Sequence, residues 1–140
     1  MPYFLSTPDI VTGNKFLDTE HMKLIQLIDA LIAACESGAS LGTVRLHVSH
    51  LIDFARDHFG REESEMRRTA LGDLAPHGQD HARLLGEVAA LKLQLDAGQP
   101  MDCTCTYNLL RAWLRQHILD FDIPMVAQKH FVLGDTPAPP

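Results

Sequence analysis

The chain lacks the features that would direct it to a membrane, a nucleic acid or a disulfide-built scaffold. No apolar run approaches the length of a membrane span. The opening "MPYFLSTPDI" has neither the charged start nor the long apolar stretch of a signal peptide. Basic runs are equally scarce. The longest is Arg67–Arg68, and the net charge is −6, so neither nucleic acid nor an anionic membrane is the expected partner. Cysteine is sparse, and its count of 3 is odd. That fits a reducing cytosol better than a disulfide framework, and a cytoplasmic location is expected. No strand-like alternation of useful length occurs, and neither repeats nor a second domain can be read. At 140 residues the expectation is a single domain spanning 1–140, large enough to bury a core without crosslinks.

What is present is helical periodicity, in four successive segments. The first is expected from about Asp18, a good N-cap, to Gly38, a good stop, with an inward stripe of His21, Leu24/Ile25, Ile28, Leu31/Ile32 and Cys35. The second runs from near Thr43 to about Ala70, with Val44, Val48, Leu51, Ala55, His58, Glu62 and Met66 inward. The third opens near Asp73, with Pro76 tolerated in its first turn, and carries His77, His81, Leu84/Leu85, Val88, Leu91 and Leu95. The fourth starts after Asp102 and carries Leu110, Trp113/Leu114, His117 and Phe121, until Pro124 stops it at Ile123. Short loops make neighbours antiparallel. The expected fold is all-α: an up-down-up-down four-helix bundle over about 18–123, an irregular leader over 1–17, and a short tail over about 124–140.

The 8 histidines are the unusual component, because each of the four helices puts at least one on its core stripe. Position along the bundle sharpens this. In up-down topology His21, His58, His77, His81 and His117 all fall at one end, level with Glu62. Buried polar groups must be satisfied, and neutral imidazoles bring only one donor and one acceptor each. A metal resolves the excess by taking the lone pairs. Five imidazoles with carboxylates exceed what one tetrahedral zinc needs, and a dinuclear iron site fits the count better. Any one of these histidines alone reads as a structural core group, and His77–His81 or His58–Glu62 alone as a surface pair. Together, at one level, they read as a site. His47 lies at the opposite end of the bundle, His50 points aside and His130 lies beyond Pro124; all three are read as non-ligands. Glu63 and Glu65 fall off the stripe and read as solvated. Cys103 and Cys105 read as small first-turn residues, and Cys35 as core.

The ordered set of His21, "HFGRE" with His58 and Glu62, "HGQDH" with His77 and His81, and "HILDFD" with His117 and Asp122 resembles hemerythrin in its bacterial form, over about residues 11–123. The resemblance implies two iron ions. One would be held by His77, His81 and His117. The other would be held by His21 and His58, with a position open to O2. Glu62, Asp122 and an oxo or hydroxo group would bridge them. Asp122 stands five residues after His117, about 140° around an ideal helix, whereas Asp120 stands nearer the histidine's face. Helical geometry alone favours Asp120; the family pattern favours Asp122, which a widened π-like last turn would bring into line. Phe59, Trp113, Leu114 and Ile118 correspond to the apolar side chains that hemerythrins place over bound O2. Two features depart from the family: the leader lacks the tryptophan common upstream of the first histidine, and "IPM" follows Asp122 in place of basic and aromatic residues.

The function implied is reversible O2 binding for carriage, storage or sensing, without catalysis. A separate protein partner for delivery or signalling is compatible with it. The alternatives are a di-iron enzyme that reduces peroxide or nitric oxide, an iron-handling or repair protein, and a histidine phosphotransfer bundle. The last needs an exposed histidine, which the core positions of these five oppose. No Glu has a His three residues later, unlike the Glu-x-x-His pairs of carboxylate-rich di-iron proteins.

Overall fold

A computed structural model describes residues 10–69 and 74–128. Among them there are four long helices and no strand: α1 Lys15–Glu36, α2 Leu41–Thr69, α3 Leu74–Asp96 and α4 Cys103–His117. A five-residue π-helical segment, Ile118–Asp122, follows α4 and leads into a last short turn, α5 Ile123–Val126. The helices form an antiparallel bundle. Glu20, early in α1, meets His58 and Arg61, late in α2. Cys35, at the end of α1, meets Cys103, at the start of α4. No helix among the described residues is long and apolar enough to cross a membrane.

The apolar stripes close on one another as their spacing requires. Leu24, Ile28, Leu31 and Ile32 of α1 share a core with Val44, Val48 and Leu51 of α2, Leu84 and Val88 of α3, and Leu110 and Leu114 of α4. A smaller cluster of Leu17, Met66 and Met125 caps the other side of the histidine layer. The stripes thus sandwich a polar layer between two apolar ones, which leaves water little access to it.

Helix ends depart from expectation where capping chemistry competes. The N-cap of α1 is Asn14, whose side chain accepts from Leu17 N at 3.0 Å. Asp18 instead folds its carboxylate back, accepting from Thr12 N and Thr12 Oγ1, both at 2.8 Å. The helix therefore begins at Lys15, inside the expected leader, and Ile10 before it is already in the core. Gly38 ends this helical turn at φ 75°, a conformation side chains resist. Asp102 caps α4 as expected, accepting from Cys105 N at 2.8 Å. Pro124 does not end the fourth helix. In the π segment Ile123 N–H reaches back to Ile118 O, and Pro124 falls in the first turn of α5, where a missing N–H is tolerated. The expected helix ends at Ala70 and Asp73, His130, and the ends of the leader and tail lie outside the described residues.

The expectation that the cysteines stay unpaired is overturned. Cys35 and Cys103 form a disulfide with Cα atoms 5.9 Å apart. Antiparallel packing brings the last turn of α1 beside the first turn of α4, a juxtaposition that residues 68 apart do not advertise. The odd count is explained by Cys105, a free and exposed thiol. Cys35 also packs against the apolar core, so its reading as a core residue holds beside the bond.

Candidate metal centre

The five stripe histidines and Glu62 do converge at one end of the bundle, and every one is 3 % exposed or less. Asp122 joins them at 0 %. The π segment accounts for this: its wider turn rotates position i+5 from His117 onto the inward face. Asp120 is turned outward and accepts from Gln116 at 2.8 Å.

The donor atoms fall into two groups. Glu62, His77, His81, His117 and Asp122 each offer one ligand atom, all within 4.8 Å of one another; His21, His58 and Glu62 form the second group by the same measure. Both carboxylates touch both groups. Asp122 Oδ2 lies 3.0 Å from His21 Nε2, while Oδ1 lies 3.0 Å from His77 Nε2 and 3.3 Å from His117 Nε2. Glu62 Oε1 lies 3.5 Å from His58 Nε2 and 3.1 Å from His81 Nε2.

The hydrogen-bond accounting shows what such an arrangement needs. His58 Nδ1 lies 2.8 Å from Glu20 Oε1, His81 Nδ1 2.8 Å from Glu63 Oε2, and His117 Nδ1 2.6 Å from Asp80 Oδ2. An ionised carboxylate only accepts, so each Nδ1 carries the hydrogen and each neutral ring turns a bare Nε2 inward. Yet His81 Nε2 and His117 Nε2 are 3.1 Å apart, and His77 Nε2 and His117 Nε2 3.2 Å. Lone pairs facing at that distance repel unless a cation stands among them. His21 Nε2 and both oxygens of Glu62 and of Asp122 are buried without hydrogen-bond partners among the described residues, although imidazole nitrogens stand close by. Nitrogen and oxygen donors of this kind, arranged this way, suit a transition-metal pair.

The titration behaviour carries the same strain. Burial, and then the charge of Asp122, push the Glu62 carboxyl well above its ordinary range. Burial would raise Asp122 as well, but His117, His21 and His77 overcome it and hold the carboxyl well below its usual value. Burial, with His117 and His77 nearby, drives His81 down to about 2. His117 moves the other way: burial would lower it, but Asp122 and Asp80 together raise it.

The apolar residues expected near O2 surround this layer. Phe59 stacks on His81, with centroids 3.9 Å apart at 9°, and Trp113 stacks on His117 at 4.6 Å and 14°. Leu114 and Ile118 are buried beside them, at 2 % and 0 % exposed. Phe121 also stacks on His77, at 5.1 Å. His47 and His50 lie elsewhere on α2, facing one another at 6.4 Å and outside both donor groups.

A family model described as "Hemerythrin HHE cation binding domain" matches residues 12–122, most of the chain. The chain belongs to the hemerythrin family. Its similarity to the bacteriohemerythrin of Methylococcus capsulatus is 29% identity over 111 residues, covering 79% of this chain and 84% of that protein. The bacteriohemerythrin of Pseudomonas aeruginosa is 24% identical over 122 residues, covering 87% and 78%. A hemerythrin-like protein of Naegleria gruberi is 29% identical over 111 residues, covering 79% and 81%. Among solved structures, wild-type hemerythrin superimposes with a TM-score of 0.79 at 26% identity, covering 89% of this chain and 97% of that one. A hemerythrin variant gives 0.82, also at 26%, covering 91% and 100%.

Three residues of this hemerythrin-family site escaped the sequence reading: Glu20, Asp80 and Glu63. Glu63 corrects an expectation, since it bonds His81 rather than standing solvated. Glu65 departs from expectation too: its side chain is 11 % exposed, and its carboxylate accepts from Arg68. Each missed carboxylate neighbours an inward residue in sequence (His21, Glu62 and His81) but touches a histidine on another helix. An acidic residue flanking a stripe ligand was the available signal. Its partner was not, because the contact crosses between helices.

Proposed function

We propose that this chain is a non-haem di-iron protein that binds O2 reversibly, as a carrier, store or sensor rather than an enzyme. The observation that supports it is the pair of donor groups that share Glu62 and are both touched by Asp122. On this reading His77, His81 and His117 hold one iron and His21 and His58 the other, with Glu62 and Asp122 between them. The two-histidine position has fewer protein donors, and O2 would enter there. Bound iron would supply the electrons that O2 accepts and returns.

The protein's own contribution is to hold and to exclude. Neutral imidazoles dominate the donor set, so the metal pair would keep net positive charge. Phe59, Trp113, Leu114 and Ile118 form an apolar wall that keeps water, and therefore protons, away from the ligand. Without a ready proton source, bound O2 is released as it came rather than lost as peroxide.

The test is anaerobic loading with Fe(II), then admission of O2 while the visible spectrum is followed. A charge-transfer band that appears and is removed by degassing is the expected result. Irreversible bleaching with consumption of peroxide would overturn carriage in favour of a di-iron enzyme. Failure to bind about two irons per chain would remove the reading altogether.

A further inference from the structure

Resting on the metal-pair reading, we propose that Glu20, Glu63 and Asp80 are positioning residues that decide which ring nitrogen each histidine presents, and that they divide between the two metal positions. Glu63 and Asp80 serve the three-histidine position through His81 and His117. Glu20 alone serves the two-histidine position, through His58. His21 and His77 show no carboxylate at Nδ1 among the described residues.

The geometry argues for a directing role. An imidazole chooses between two tautomers of similar energy, and the wrong one points an N–H at the metal. A carboxylate 2.6–2.8 Å from Nδ1 makes that choice beforehand and strengthens Nε2 as a donor. The three carboxylates are themselves 12%, 27% and 18% exposed for Glu20, Glu63 and Asp80. They line the boundary between the dry centre and solvent, where a charge is tolerated without a metal beside it.

The partners are not equivalent. Glu20 is shared, since Arg61 grips both its oxygens through Nε and Nη2, and Arg61 is in turn held over the Phe16 ring at 5.9 Å. A guanidinium on the same carboxylate drains negative charge from the His58 hydrogen bond. Among the described residues Glu63 has no such competitor, and Asp80 has only Arg83, on its other oxygen at 3.3 Å. The two-histidine position therefore has fewer donors and the weaker carboxylate support, and it is the one that should lose its metal first.

Two measurements test this on the whole chain. In the metal-free protein, ring nitrogen NMR at alkaline pH should show His58 and His81 as the Nδ1–H tautomer. Glu20→Ala should release His58 alone, and Glu63→Ala His81 alone. In Fe(II) titrations followed site by site, Glu20→Ala should weaken the two-histidine position by about 10–100-fold and leave the other nearly unchanged. Asp80→Ala should do the reverse. Glu20→Gln and Asp80→Asn should restore part of the affinity, because an amide oxygen still accepts from Nδ1–H. Equal losses at both positions, or unchanged tautomers, would overturn the proposal. The NMR result needs no metal, so a wild-type chain that failed to bind two irons would refute the metal-pair reading and leave the tautomer assignment standing.

Discussion

Breaking the Cys35–Cys103 bond should cost about 4 kcal/mol of stability, because the bond closes a loop of 68 residues that includes all of α2 and α3. The magnitude follows from chain entropy. A crosslink across that many residues removes roughly 15 cal/mol/K from the unfolded ensemble, which near room temperature gives the figure above. The corresponding fall in melting temperature is roughly 10–15 °C for a chain of this size. The perturbation is either a thiol reductant or Cys103→Ser, and the assay is denaturant unfolding of each form. The midpoint should drop, and the slope should steepen, because the uncrosslinked unfolded chain exposes more surface. Metal content should not change, since the bond sits at the end of the bundle away from the histidine layer. Thiol counting on the denatured, unreduced protein should find one reactive group, Cys105. Three reactive thiols, or a midpoint indifferent to reductant, would refute both the bond and the stabilisation assigned to it.

Both oxygens of Glu62 are buried without hydrogen-bond partners among the described residues, so replacing it by a side chain of similar volume, Glu62→Met, should stabilise the metal-free bundle by about 1–3 kcal/mol in melts and abolish the stability gained on adding metal. The sign follows from the raised pKa: the favourable contribution of Glu62 is present below its ordinary value of 4.5 and is lost as pH rises, so the benefit of the substitution should grow with pH. Metal binding should release protons, because Glu62 and His117 are both held above their ordinary values; calorimetry in buffers of different ionisation enthalpy should show it, with affinity rising with pH. Phe59→Ala should cost about 3–5 kcal/mol in denaturant unfolding, since the ring is 2 % exposed and stacked on His81. Asp120→Asn should change stability by less than about 0.5 kcal/mol and leave metal uptake intact, whereas Asp122→Asn should weaken uptake, as measured by metal analysis after dialysis.

Much of the architecture was legible in the chain because apolar spacing is a direct physical record of burial. Val44, Val48, Leu51 and Ala55 recur on one face, and that face is inside. The level of His21, His58, His77, His81 and His117 followed from the same spacing together with short loops, since antiparallel packing leaves little freedom in register. Helix ends were less legible. Asp18 and Asn14 are both able caps, and the choice went to the one whose rival was occupied by Thr12.

What the sequence determined by itself is the set of inward side chains and the end of the bundle at which the polar ones gather, because helical periodicity and connectivity are local properties. What only the tertiary structure decided are the pairings across helices. The inward turn of Asp122, which the family pattern favoured against ideal helix geometry, took its physical reason from the π segment. Glu20, Glu63 and Asp80 found histidines on neighbouring helices, and Cys35 found Cys103 across the bundle. None of these contacts leaves a mark at fixed spacing, because the distance between two helices is set by the packing of every side chain between them rather than by any short stretch of sequence.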